Sequence, residues 1–153
     1  ILTGQYCHRN GVTTLEDAES VIQDVDIPIE GAPAFLAFLL REIGILPVWI
    51  CPIGATPQAS RFPLFPRRAA LYVNFGFWDV VRRREAHPPG HFNRLVEREV
   101  ARLGGIKSLY SDSYYAADEF RAAYGGEAYQ RLKARYDPRG RLGDLYAKCV
   151  RRQ

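Results

Sequence analysis

Apolar and polar residues alternate through residues 19–30, where Val21, Val25, Ile27 and Ile29 share one parity; that two-residue period predicts a strand. From residue 31 to 43 the period lengthens. Phe35, Leu36, Leu39, Leu40 and Ile43 recur at helical spacing, and Gly44 stops the run. Residues 47–53 predict a second strand and the aromatic-rich residues 70–78 a third, separated by a proline-rich loop over 54–68. Residues 79–90 read as another loop, ending His87-Pro88-Pro89-Gly90. A second helix is expected over 91–103, with Phe92, Leu95, Val96, Val100 and Leu103 as its apolar stripe and Gly104-Gly105 as its stop. A fourth strand follows over 106–112.

The order strand, helix, strand, strand, helix, strand predicts an α+β fold of the ferredoxin-like βαββαβ type, an antiparallel sheet with both helices on one face. Short helices over 116–124 and 126–136, and a last turn over 142–150, form a C-terminal tail too short to stand without packing on something. The expected organisation is a linker over 1–18, an α+β domain over 19–113 and a helical tail over 114–153.

Parity divides the sheet into two faces. Val21, Val25, Ile27, Ile29, Val48, Ile50, Leu71, Val73, Phe75, Phe77 and Leu109 form an apolar set suited to the helices. The opposite set mixes aromatic residues with acids and amides: Ile22, Asp24, Asp26, Trp49, Cys51, Tyr72, Asn74, Gly76, Trp78, Ser108, Tyr110 and Asp112. A solvated face carries more Lys, Glu and Thr and fewer Trp and Tyr. Aromatic bodies with polar tips suit a pocket for a bulky apolar ligand, or an interface with another part of the protein.

Composition narrows the picture. The 153 residues, 47% hydrophobic and 25% charged, are ordinary for a globular domain. No methionine occurs and the chain opens Ile1-Leu2-Thr3-Gly4, so an upstream part of the protein is expected. The net charge is +4, with arginine exceeding lysine. The runs Arg67-Arg68 and Arg82-Arg83-Arg84 fall in expected loops among scattered acids, which is a solvated surface and not a nucleic-acid interface. Cys7, Cys51 and Cys149 are far apart, with no zinc or redox spacing, and a reducing, cytoplasmic setting is expected. No apolar run reaches the ~18 residues of a membrane span, which leaves peripheral membrane contact open.

Other constellations point to structure. His87 and His91 are four apart, but Pro88, Pro89 and Gly90 between them forbid a regular helix, so no metal site is expected. Cys51 beside Trp49 has no histidine placed to activate it. Asp24 and Asp26 share a strand face without a glycosidase-like setting. No phosphate-cradling glycine loop occurs.

Two stretches carry a family likeness. Gln23-Asp24-Val25-Asp26-Ile27-Pro28 opens one and Pro47-Val48-Trp49-Ile50-Cys51-Pro52 closes it. Leu71-Tyr72-Val73, the turn Leu109-Tyr110-Ser111-Asp112-Ser113-Tyr114 and the tail Tyr136-Asp137-Pro138 extend it. From about Ser20 onward the chain resembles the C-terminal part of FAD-linked oxidases of the vanillyl-alcohol oxidase/p-cresol methylhydroxylase type, in the delta24-sterol reductase-like branch. The resemblance implies FAD held mainly by an N-terminal domain, and a C-terminal domain that covers the flavin and supplies the substrate-facing wall. By position it implies Trp49, Cys51, Tyr72, Asn74 and Trp78 against substrate. It implies Tyr110, Ser111 and Tyr115 against the cofactor, and Tyr110, Asp112 and Tyr114 as candidates for proton transfer. Relatives that oxidise lactones and alditols carry a His-Trp-x-Lys-like motif where this chain has Tyr110-Ser111-Asp112-Ser113, which argues against polyol chemistry.

The implied activity is reduction of a C=C bond in a sterol-like or bulky lipid substrate, with NADPH as electron donor through FAD. The fragment by itself is expected to be inactive, and its expected partners are its own N-terminal domain, a sterol-like molecule and a second copy in a homodimer. Oxidation of an alcohol by a flavin enzyme is the second reading. A non-enzymatic ferredoxin-like binding module is the third.

Overall fold

Strand β1 (Ala18–Pro28) runs the length of the sheet centre and ends where Pro28 turns the chain into a 3-10 turn, Ile29–Gly31. Helix α1 (Ala32–Phe38) continues without a break into a π-helical turn, Leu39–Ile43. The Gly44 N–H then closes the helix on the Leu39 carbonyl, 2.8 Å away. Strands β2 (Trp49–Gly54) and β3 (Leu71–Arg82), helix α2 (His91–Arg102) and strand β4 (Ile106–Lys107) complete the unit. Helices α3 (Ala117–Ala123) and α4 (Gly126–Tyr136) and a π-helical turn, Ala147–Arg151, form the tail. This is a computed structural model, and it describes residues 18–54, 69–82 and 85–152.

The four strands lie in the order β2-β3-β1-β4, every pair antiparallel. That is the ferredoxin-like arrangement expected from the order of elements. Its core is Val21, Val25 and Ile27 of β1, Val73, Phe75 and Phe77 of β3, Phe35, Leu39 and Ile43 of the first helical segment, and Val96 and Val100 of α2. Phe35 sits at the centre with its ring 5.0 Å from Phe75 and 6.4 Å from Phe77. Full burial of such a side chain contributes roughly 1.5–3 kcal/mol.

Several expectations are corrected. The third strand does not stop at Trp78. It runs to Arg82 because Ala18–Val21 of the long β1 offers it partners, Ala18 opposite Arg82 and Val21 opposite Asp79. Arg82 is therefore a strand residue. The first strand ends at Pro28, two residues early, and leaves Ile29 on an exposed turn. The fourth strand spans two residues in place of seven. After the Ser108 N–H bonds to the Asp24 carbonyl at 2.8 Å, the chain turns away from the sheet. Leu109 accordingly leaves the sheet core for a second cluster. Ile50 and Leu40 were expected inside but are exposed, since β2 is an edge strand and the helix lies over the sheet centre. The linker before Ala18, residues 55–68 with Arg67-Arg68, and Arg83 and Arg84 lie outside the described residues.

The second cluster joins Ile106, Tyr115, Phe120 and Tyr124, with Leu109, Tyr146, Cys149 and Val150 against it. It covers the short β4 edge with the tail, a common way to protect an unpaired strand. Arg94 of α2 clamps α3 through a two-oxygen contact to Glu119 at 2.5 Å. Helix α4 buries no residue; it is tied to the tail by the Leu145 N–H on the Tyr129 hydroxyl at 2.9 Å and by its C-terminal end. There Asp137 accepts the Arg141 and Leu142 N–H groups at 2.8 and 3.0 Å and pairs with Lys133. These bonds, Lys133 foremost, hold the Asp137 carboxyl below the ordinary aspartate range. A group depressed in the folded state lends stability that is lost as pH falls through its folded value. Asp137→Asn is therefore expected to loosen the 137–144 turn at neutral pH, as acid below the ordinary aspartate range loosens the native one. Faster tryptic cleavage after Arg139 and Arg141, with the sheet intact, is the measurement.

Candidate functional site

The face of the sheet away from α1 and α2 is open around its two tryptophans. Trp49 and Trp78 are 61% and 55% exposed. Trp49 lies opposite Gly76 and Trp78 opposite Ile22, so the two indoles stand diagonally across β2 and β3 with Gly76 between them. Asp24 lies opposite Gly76 on the other side. A Cβ built on Gly76 would sit 2.5 Å from Asp24 Oδ1 and 3.3 Å from the Trp49 Cβ. Glycine there lets the carboxylate and the indole approach from both sides.

The turn after β4 crosses this face. The Tyr110 hydroxyl donates to Asp24 Oδ2 at 2.8 Å. Burial, and then the neighbouring Asp24 carboxylate, push the Tyr110 hydroxyl far above the ordinary tyrosine range. The phenol is thus protonated throughout physiological pH. Between the turn and β1 lies a cleft of about 290 Å³, lined by Ser20, Ile22, Asn93, Tyr110, Ser111 and Asp112. The Ser111 Oγ is buried and has no hydrogen-bond partner among the described residues. Asp112, at the rim, pairs with Arg152 at 2.7 Å.

The remaining candidates fall in different surroundings. Cys51 and Asn74 are half-buried beside this face, and Asn74 donates to Asp26 Oδ1 at 2.9 Å. Tyr72 is buried and its hydroxyl accepts the Ala69 N–H at 2.9 Å. Tyr114 is half-buried with its ring over Gly90. A Cβ there would fall 2.2 Å from the ring, at a φ of +77°. Tyr115 lies in the second cluster, edge-on to Phe120 and Tyr124. The structure therefore gathers Trp49, Trp78, Tyr110, Ser111 and Asp112 around one open surface, and places Tyr72 and Tyr115 in packed surroundings.

The periodicity missed a set of buried polar residues behind the site. The buried stripe of α2 is Asn93, Val96, Glu97 and Val100, with the expected Phe92, Leu95 and Leu103 at its margins. Asn93 donates to Glu19 Oε1 at 2.7 Å and to the Ser20 carbonyl at 2.9 Å, and accepts from Gln23 at 2.5 Å. Lys107, on the core face opposite Val25, and Glu97 are both fully buried and 3.3 Å apart. Burial pushes the Glu97 carboxyl up and the Lys107 ammonium down, each toward its neutral form, against their mutual attraction. The signal was present as spacing: Asn93, Glu97 and Val100 lie three and four apart on one helix face. Polar identity disguised it. His87 and His91 stack with rings 4.0 Å apart at the start of α2.

The geometry leads to a direct test. Gly76→Ala must turn Asp24 aside and break its bond to Tyr110. The sheet is expected to survive, and the Tyr110 titration to return toward the ordinary tyrosine value near about 10. Ultraviolet difference titration against Tyr110→Phe reads this shift.

Comparison with known proteins gives one consistent answer. Over 142 residues the chain is 24% identical to the human Delta(24)-sterol reductase, covering 90% of this chain and 26% of that protein. It is 25% identical to the Delta(24)-sterol reductase homolog dhcr-24 of Caenorhabditis elegans, covering 93% and 27%. With the Arabidopsis thaliana Delta(24)-sterol reductase the identity is 23%, covering 84% and 26%. The chain thus spans about a quarter of the length of the curated relatives it matches. No family model matches it, and no solved structure does.

Proposed function

We infer that this chain, a relative of the Delta(24)-sterol reductases, is the substrate-facing part of an FAD-dependent oxidoreductase that reduces a C=C bond in a sterol-like lipid. The observation that carries the reading is the open sheet face, on which two exposed tryptophans flank a Tyr110–Asp24 pair, in a chain similar to sterol reductases along nine-tenths of its length.

Trp49, Trp78 and Ile22 present apolar area suited to the flat, rigid body of a fused-ring lipid. The residues also fit a flavin at the edge of the face: Ser111 Oγ, in the cleft beside Tyr110, is a buried hydroxyl without a partner among the described residues. Ser111 and Tyr110 are the groups that would meet it, with NADPH as the source of electrons. When bound, FAD supplies a hydride to one carbon of the double bond. A proton must reach the other carbon, and this chain supplies it. Tyr110 holds a proton at neutral pH, but its high proton affinity makes it a reluctant acid. Held by its bond to Asp24, the phenol gives its proton to that carbon and regains one from the solvent that reaches the exposed Tyr110 side chain. Asp112 and Tyr114 shape the rim of the same turn.

Among the described residues no helix is long and apolar enough to cross a membrane. A sterol substrate nonetheless resides in lipid, and the exposed Leu40, Leu46 and Ile50 suit a peripheral seat at a membrane surface.

The test is an anaerobic titration of the intact protein. The flavin is reduced with NADPH, a sterol with a side-chain double bond is added, and the visible spectrum is followed. Reoxidation by the sterol is the expected result. A reduced flavin that ignores the sterol and reacts only with oxygen would favour the alcohol-oxidase reading. Absence of a flavin spectrum would end both and leave a binding module.

A further inference from the structure

The turn that bears Tyr110 is not held by the sheet. Strand β4 pairs with β1 at only two positions, Val25 with Lys107 and Asp26 with Ile106, and the Ser108 N–H to Asp24 carbonyl bond is the last link of the ladder. Beyond it, Asp112 makes a surface pair with Arg152 at 2.7 Å, and the other polar anchors of residues 112–114 converge on two fully buried charges. The Lys107 ammonium donates to the Asp112 carbonyl, to Ser113 Oγ at 2.9 Å and to Glu97 Oε1 at 3.3 Å. Glu97 Oε1 in turn accepts the Tyr114 N–H at 2.9 Å. The other groups facing the pair hold it in place. Arg94 lies 3.5 Å from Glu97 Oε2, and the Tyr124 hydroxyl donates to the Lys107 carbonyl at 2.8 Å.

A buried ion pair is a poor source of stability, because desolvation offsets its attraction and apolar replacements of similar volume are often as stable or more so. Here one strand residue and one helix residue bring buried charges together, and apart from the Arg94 contact to Glu97 their remaining side-chain bonds go to the backbone and Ser113 hydroxyl of one turn. We propose that Glu97 and Lys107 are positioning residues, whose buried pair tethers the 108–114 turn so that Tyr110 stays seated on Asp24. The inference deepens the assignment of Tyr110 as the group that delivers the proton, and rests on that reading.

The experiment uses the intact protein carrying Glu97→Gln together with Lys107→Met. This removes both charges, while the introduced side-chain amide keeps an oxygen that can accept the Tyr114 N–H. A second, milder variant, Ser113→Ala, removes one anchor and leaves the pair. Hydrogen exchange by mass spectrometry reads the 108–114 peptide against peptides from β1 and β3, and steady-state kinetics reads sterol reduction. In the double variant the turn is expected to exchange about tenfold faster, the loss of charge-assisted bonds, while β1 and β3 keep their protection. The turnover number is expected to fall about tenfold with the sterol KM little changed, since Tyr110 acts only in the transition state. Ser113→Ala is expected to give the same pattern, weaker. Unchanged exchange in 108–114, or exchange rising equally through β1 and β3, would overturn the proposal. If the unmodified protein reduces no sterol, the functional reading fails, and the exchange result decides the tether on its own.

Discussion

Tyr110→Phe in the intact protein is expected to lower the rate of sterol reduction by roughly 10²–10⁴-fold, the usual contribution of a positioned general acid. Stability should change by no more than about 0.5 kcal/mol, as for an exposed side chain outside the core; Tyr110 is 63% exposed. Flavin reduction by NADPH should be untouched, because that half-reaction needs no proton from this face. Stopped-flow measurement of the two half-reactions separates them. Asp24→Asn sharpens the result. It removes the carboxylate that raises the Tyr110 pKa, while the amide oxygen can still accept the phenol's hydrogen bond, so the phenol becomes the better acid and the rate is expected to rise. Equal sterol turnover in Tyr110→Phe and the unmodified protein would remove Tyr110 from the chemistry.

The second large effect falls on stability. Lys107→Met alone leaves Glu97 buried without its cation, and breaking one side of a buried pair costs about 3–5 kcal/mol. The loss should depend on pH. Burial already raises the Glu97 pKa and Lys107 is the chief influence lowering it, so without Lys107 it rises further. The folded state then holds its proton to higher pH than the unfolded state does. Such a group is least costly below its unfolded value and becomes destabilising as pH rises through the folded one. The deficit of Lys107→Met against the unmodified protein should therefore shrink between about pH 7.5 and pH 5. Adding Glu97→Gln should recover most of it at neutral pH. Thermal melts of the intact protein at the two pH values measure both effects; a deficit independent of pH would mean that Glu97 is not the source.

Much of the fold was legible because strands and helices bury their apolar faces with different periods. The alternation of Val21, Val25 and Ile27 and the three-four spacing of Phe35, Leu39 and Ile43 reappear as buried core. The boundaries that failed share one cause. Where β3 and β4 end depends on whether a partner strand is present, and β1 extends far enough to pair with Arg82 while β4 leaves it after Lys107. Pairing of that kind is nonlocal and leaves no mark on the strand's own residues. Of the site, the aromatic and acidic composition of one sheet face was readable from parity, and Trp49, Trp78 and Tyr110 do stand exposed on or over it. Tyr72 and Asp26 have the same parity but are buried, because parity assigns a side to a residue and says nothing of what packs over it.

By itself the sequence determined the order of elements, the antiparallel α+β sheet, the apolar face that α1 and α2 cover and the likeness to sterol reductases. These follow from local periodicity and residue identity. Only the tertiary structure decided that Tyr110 meets Asp24, 86 positions away, that Gly76 lets Asp24 and Trp49 close in from both sides, and that Glu97 and Lys107 lie buried under the turn. Those contacts arise where β1, α2 and the 108–114 turn converge. Their energy depends on burial and on groups distant in sequence, neither of which a pattern of hydrophobic and polar positions records.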